Sequence, residues 1–242
     1  MARVNFAKLL QHPLAKPLVF ATALLPFAWL AWAAFAHALG ANPAEALIRS
    51  TGDWTLRFLA MTLAVTPLRV ITGHNHLLRF RRMLGLFTFF YGTVHVLSYS
   101  GFDMGFYFDD IVRDIIKRPF ILAGFTALSL MAPLAATSFN RAIRAMGAKR
   151  WQWLHRLIYV VAPVALLHFW WMRAGKNDFA EPAIYIAIIG ALLGWRVWHR
   201  WQGARAPAEK AAKTAKAAKA AKAANRDVLP LGDRLASLQR SR

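Results

Sequence analysis

The feature that most constrains this chain is a series of long apolar runs, six of them, separated by short charged stretches. They cover roughly residues 18–39, 54–71, 83–100, 120–137, 151–172 and 183–198. About 20 residues of helix, at 1.5 Å each, cross a hydrocarbon core of about 30 Å. Runs of this length leave no alternating polar face for a soluble fold. The expected architecture is an all-α membrane protein, a six-transmembrane helix bundle. Tryptophans mark several of the ends (Trp54, Trp151, Trp153, Trp170, Trp171, Trp195, Trp198), as expected of indoles at the headgroup level.

The charges between the runs give an orientation. The first stretch carries Arg3, Lys8 and Lys16 without an acid; the second loop has Arg69, Arg79, Arg81 and Arg82; the fourth has Arg141, Arg144, Lys149 and Arg150. The intervening loops mix both signs, with Glu45, Arg49 and Asp53, then Asp103, Asp109, Asp110 and Asp114 beside Arg113, Lys117 and Arg118. Basic loops stay in the cytoplasm, so both termini are expected there. The organisation read from this is a cytoplasmic segment over 1–17, a six-helix domain over 18–200 and a basic cytoplasmic tail over 201–242. The first run is longer than the apolar core of a signal peptide and reads as an uncleaved helix. The tail repeats lysine every third residue, from Lys210 to Lys222, and contributes to the net charge of +20. It reads as a solvated, partly helical extension that meets anionic lipid. It lacks the interleaved aromatics of a nucleic-acid groove, so no nucleic acid is expected.

The chain has no cysteine. Thiolate metal sites, iron–sulfur clusters and c-type haem attachment are thereby excluded. P-loop, dinucleotide-binding and zinc-protease motifs are also missing, and the loops are too short for a nicotinamide-binding domain. Of eight histidines, His12, His74 and His76 lie outside the runs, and His37 and His199 lie at run ends, where they reach water. His95, His155 and His168 remain inside. An ionisable group within a bilayer is costly and faces the bundle interior, which makes function the first hypothesis.

Depth sorts these three. His95 lies fourteen residues past Arg81 and His168 eighteen past Arg150, on segments that run in the same direction. Both fall near the periplasmic side. His155, five residues past Arg150, falls near the cytoplasmic side, about 20 Å from His168 along a helix axis. Imidazoles at equal depth on two helices suit the two axial positions of one haem. His95 and His168 are therefore the candidate iron ligands. His155 is the candidate for a second, cytoplasmic-side haem; its partner is unassigned, with His74 and His76 nearest in sequence. Thirteen helical residues turn about 220°, so His155 and His168 do not share a face unless Pro163 distorts the helix. Arg81, Arg82, Arg150, Arg156 and Arg57 are candidates to pair with haem propionates or a flavin phosphate; for each, simple topology is the competing reading.

Four blocks carry a resemblance: "TGDWTLRFLAMTLAVTPLR" (51–69), "RRMLGLFTFFYGTVHVLSY" (81–99), "KRPFILAGFTALSLMAPLAATS" (117–138) and "RWQWLHRLIYVVAPVALLHFWW" (150–171). Over roughly residues 10–200 the chain resembles the MsrQ family, haem-binding membrane subunits of bacterial protein-methionine-sulfoxide reductase systems, in the ferric-reductase-like transmembrane group. The resemblance implies b-type haem, one or two, and flavin mononucleotide (FMN). It implies an inner-membrane, multi-pass electron-transfer subunit rather than a catalytic one. Electrons would come from the quinone pool or a cytoplasmic flavin reductase. They would go to a periplasmic molybdopterin methionine-sulfoxide reductase (MsrP-like) that repairs oxidised proteins. Related oxidases and ferric reductases carry two histidines on each of two helices; here the third segment has only His95, with arginine where the other would fall. The competing expectations are a ferric reductase or quinol-linked cytochrome b, and a haem-free transporter or scaffold with histidines on a proton path.

Overall fold

The computed structural model describes residues 10–175 and 177–228, with most side chains between 204 and 228 excepted. The first nine residues with Arg3 and Lys8, Lys176, the lysine side chains of the tail and residues 229–242 lie outside the described residues. All regular structure among the described residues is helical.

Among the described residues, nine α-helices with both ends placed follow in order: α1 (Ala15–Phe35), α2 (Pro43–Thr72), α3 (Leu78–Ser98), α4 (Phe108–Lys117), α5 (Pro119–Ala136), α6 (Asn140–Met146), α7 (Ala148–Leu154), α8 (Ile158–Ala174) and α9 (Ala180–Val228). A 3₁₀ turn at Asn75–Leu77 leads into α3, a π-helical turn at Tyr99–Asp103 ends it, and a 3₁₀ turn at His155–Leu157 joins α7 to α8. Five described helical stretches are long and apolar enough to cross a membrane: Ala15–Phe35, Pro43–Thr72, Pro119–Ala136, Ala148–Ala174 and Ala180–Gly203. At most 33% of any of these spans is buried. Apolar helices that leave most of their surface uncovered need a non-aqueous solvent. The remaining expected span, α3, is 21 residues long and opens on Arg79, Arg81 and Arg82.

Local chemistry sets the ends of α2. Asn42 caps its start, accepting the Glu45 amide at 3.1 Å, with Pro43 in the first turn. Gly73, at φ +72°, ends it in the left-handed conformation. Two packed clusters meet on α2. One joins Phe58 to Ala23 of α1 and to Phe80, Met83, Phe87 and Tyr91 of α3. The other joins Leu56, Leu59 and Leu63 to Ala162 and Phe169 of α8 and Ile189 of α9. Span hydroxyls are satisfied locally: Thr51, Thr55, Thr62, Thr88 and Thr126 each donate to the carbonyl four residues back.

Beside Pro26 of α1, a side chain from α3 meets the helical ladder. Phe27 N–H sits just past Pro26, and its ordinary acceptor is Ala23 C=O. The Tyr91 hydroxyl instead accepts from Phe27 N–H at 3.1 Å and donates to Ala23 C=O at 2.8 Å. Tyr91 is completely buried. The hydroxyl thus bridges the Phe27 amide and the Ala23 carbonyl and ties α1 to α3.

Three sequence expectations are refined. The 151–172 run is not one continuous α-helix: it is broken at His155–Leu157, eight residues before Pro163 begins to matter, and Pro163 lies within α8. The 103–114 loop contains a helix, α4, whose apolar residues the charge pattern hides. The sixth run is part of a helix whose backbone continues through the lysine-rich tail to Val228; from Gly194 onward it forms a separate unit.

Tyr91→Phe keeps the packing and removes the hydroxyl, leaving a buried donor and acceptor without it. A loss of about 1–3 kcal/mol is expected in a denaturant titration of the micelle-embedded protein, whereas an unchanged midpoint would show that the hydroxyl carries no tertiary role.

Candidate functional site

Three facts of local structure bring His95 and His168 together. α3 places His95 in its last turn, facing α2. α8 places His168 against the start of α5. The two rings then lie in a T-shaped arrangement, with centroids 6.1 Å apart and planes 76° apart. His155 does not join them; it lies on the 3₁₀ turn at the other end of α8.

Each ring of the pair has one nitrogen committed. His95 Nδ1 lies 2.8 Å from Ile48 C=O of α2, and His168 Nδ1 lies 2.6 Å from Phe120 C=O of α5. A carbonyl only accepts, so each Nδ1 carries the proton. The lone pair of each ring is therefore on Nε2, the form in which an imidazole ligates a metal, oriented by a backbone partner. A metal–imidazole bond of about 2 Å, plus about 1 Å from nitrogen to ring centre, on both sides gives about 6 Å between two trans rings. The observed separation fits that requirement.

Two glycines make room for the rings. A Cβ on Gly52 would stand 3.2 Å from His95 Cε1 and Nδ1. A Cβ on Gly124 would stand 2.8 Å from His168 Nδ1 and 2.9 Å from its Cε1. Gly52 and Gly124 thus let helices α2 and α5 approach the imidazoles closely enough for the carbonyl contacts. Sequence reading missed both. The available signal was the position of each on a span at the depth of a histidine, four residues past its carbonyl partner: Ile48 to Gly52, and Phe120 to Gly124.

His155 borders a cavity of about 270 Å³ together with Arg81, Arg82, Thr62, Thr88 and Trp151. Its Nδ1 lies 3.0 Å from Trp151 C=O, and its Nε2 is 3.4 Å from the Ser138 hydroxyl. Trp151 stacks on the ring at 3.8 Å and is itself fixed by a bond from Nε1 to Thr137 C=O. Of the arginines singled out from sequence, Arg81 and Arg82 line this cavity, and Arg82 also donates to Asn140 at 2.8 Å. Arg150 and Arg156 are exposed and do not line it. Neither does His74 or His76, and His76 is bonded to Gln11. Arg57 belongs elsewhere: it lies over the Trp54 ring at 4.6 Å in an open groove between α2 and α9.

Residues 51–166 match the family described as "Ferric reductase like transmembrane component". A protein of Polaromonas naphthalenivorans, named protein-methionine-sulfoxide reductase heme-binding subunit MsrQ, is 67% identical over 79% of this chain and 88% of its own length. Proteins of the same name from Herminiimonas arsenicoxydans and Ralstonia nicotianae are 52% and 56% identical, over 77% and 74% of this chain and 86% and 83% of their own lengths. No solved structure matches the chain.

Histidine ¹⁵N NMR on protein prepared free of metal and cofactor should report His95 and His168 as Nδ1–H tautomers. Gly124→Ala should abolish that state at His168 and leave His95 unchanged. An Nε2–H tautomer at either residue in the parent protein would contradict the assignment.

Proposed function

The chain belongs to the MsrQ family, and from that premise we propose that it is a membrane electron-transfer subunit that holds one b-type haem between His95 and His168. The observation that carries this reading is the imidazole pair, 6.1 Å apart, with both Nδ1 atoms on backbone carbonyls. No group of three or more His, Cys, Asp or Glu with metal-binding geometry occurs among the described residues. Two imidazoles alone do not complete the four-ligand shell of a structural zinc. They do complete a porphyrin, which brings four nitrogens and needs two axial partners.

When bound, the haem supplies a one-electron couple. The work of the chain is to hold that couple in place. Ile48 and Phe120 fix the tautomers and ring planes, so little reorganisation accompanies a change of charge. His95 and His168 would both be taken up in holding the haem and would leave oxygen no site on it, which would favour electron transfer over oxygen chemistry. The lipid-facing helices keep bulk water away.

The reading extends to topology and partners. Six spans with both termini in the bacterial cytoplasm put the His95–His168 pair near the periplasmic face of the inner membrane. The electron acceptor is a periplasmic methionine-sulfoxide reductase of the MsrP kind, which the names of the relatives support. The donor is the quinone pool or a cytoplasmic flavin reductase. The cavity at His155 lies at the cytoplasmic end. Arg81 and Arg82 give it two cations that match a flavin phosphate, and the stacked Trp151–His155 pair gives it an aromatic wall. FMN is the occupant this donor set suits. A second haem there would have His155 alone among histidines for its iron. This keeps the flavin reading ahead of a second haem.

His95→Ala and His168→Ala should each abolish the Soret band and the pyridine haemochrome yield of the purified protein. His155→Ala should retain both. Loss of haem in His155→Ala with retention in His95→Ala would overturn the pairing. Arg81→Gln combined with Arg82→Gln should lower the flavin released per chain at least about tenfold, the equivalent of about 1.4 kcal/mol, with haem content unchanged.

A further inference from the structure

Between the π-helical turn that ends α3 and the first residue of α5 lies α4, a ten-residue helix that the electron-transfer reading does not use. Its polarity is split cleanly. Phe108, Val112 and Ile116 recur at i, i+4 and i+8 and form one stripe; Asp109 borders it beside Ile116, and Arg113, Lys117 and Asp110 follow around the helix away from it. Ile111 and Ile115 turn partly inward against the bundle. The outer stripe is bare: Phe108 is 75% exposed and Ile116 72% exposed. The turn before it adds more aromatic surface, with Phe102, Phe106 and Tyr107 all exposed.

The roll of α4 is fixed rather than free. Tyr99 donates to Asp114 at 2.6 Å, and Asp114 pairs with Arg118 at 2.9 Å. Asp114 is therefore held toward the bundle, which commits the opposite stripe to face outward. Phe106 is held in the left-handed region, at φ +60°, with its ring over Gly101, where a Cβ would meet it at 2.9 Å. Such a backbone conformation is unfavourable for a bulky residue and persists only when its surroundings hold it. Here it presents an aromatic ring at the same end as the α4 stripe.

We infer that the apolar surface formed by Phe102, Phe106, Tyr107, Phe108, Val112 and Ile116 lies in the bilayer interface, as an amphipathic anchor on the His95 and His168 side of the bundle. Three observations select lipid as the occupant. One residue, Arg118, separates α4 from α5, a helix long and apolar enough to cross the membrane, so α4 lies at the mouth of a span. The surface is rich in aromatic side chains, which favour the headgroup boundary. The charged face is directed away from it, which is the polarity of a helix lying in the interface plane. The inference does not rest on the haem reading, and its test does not read haem.

The chain has no cysteine, so single labels can be placed without background. Phe108→Cys, Val112→Cys, Ile116→Cys, Asp110→Cys and Lys117→Cys, each in the full chain in lipid nanodiscs, are spin-labelled and tested by power saturation with oxygen and with a water-soluble nickel complex. Positions 108, 112 and 116 should favour oxygen, and positions 110 and 117 should favour nickel, giving an accessibility ratio that oscillates with the helical period. Variants are compared by monodispersity on gel filtration, so a misfolded variant is replaced by its neighbour on the same stripe, at 106 or 102. Equal nickel access at all positions would overturn the inference in favour of a water-exposed surface. Protection of 108, 112 and 116 from both reagents would overturn it in favour of a protein partner or a second copy.

Discussion

Two backbone carbonyls govern this structure. Ile48 and Phe120 belong to helices whose surroundings are apolar, and each accepts the Nδ1 proton of one histidine. In water such a bond would be worth about 1 kcal/mol net. Its value here is selective rather than energetic. It fixes which nitrogen is bare and where that nitrogen points. An imidazole left free to choose its tautomer in a low-dielectric interior would present a proton as readily as a lone pair. The close packing of α2 on α3 and of α5 on α8, with Gly52 and Gly124 at the contacts, exists in a form that makes those two bonds possible.

The same arrangement divides the bundle into two ends of different chemistry. One end holds the His95–His168 pair, each ring fixed by a backbone carbonyl and with a bare Nε2. The other holds one histidine, a stacked indole and two arginines around a cavity, suited to an anionic, aromatic group. Arg81 and Arg82 cannot ligate a metal, but they offer forked hydrogen bonds to a phosphate. The 3₁₀ turn at His155–Leu157 completes the division. His155 lies on that turn and His168 thirteen residues later, about 220° around a helix, so each is turned to its own site although one sequence run carries both.

Much of this was legible in the sequence. Five of the six expected spans are helices long and apolar enough to cross a membrane, and length finds them; α3, which opens on three arginines, does not meet that measure. His95 and His168 could be paired because depth in a membrane can be counted from basic loop residues, a ruler that soluble proteins lack. The carbonyl partners were not legible, because a backbone acceptor carries no residue signature. Gly52 and Gly124 were hidden for a related reason: a glycine in a span reads as a loss of helix propensity until its neighbour on the next helix is known. The break at His155 was hidden by Pro163, which drew attention to the wrong residue. α4 was obscured by its four nearby aspartates, whose charge masks an apolar stripe of only three residues. The arginines were the least legible. Five candidates were equivalent by charge, and only packing separates Arg81 and Arg82, which share a cavity, from the exposed Arg150 and Arg156 and from Arg57 on another groove.

The central claim is that one iron is held between His95 and His168 with its ligand planes set by Ile48 and Phe120. Electron paramagnetic resonance of the oxidised, purified protein tests it most directly. Ring planes 76° apart predict a strongly anisotropic low-spin ferric signal, the form given by nearly perpendicular axial imidazoles, in an amount matching the haem content of the sample. A high-spin signal, or a rhombic low-spin signal of the kind given by parallel imidazole planes, would contradict the account.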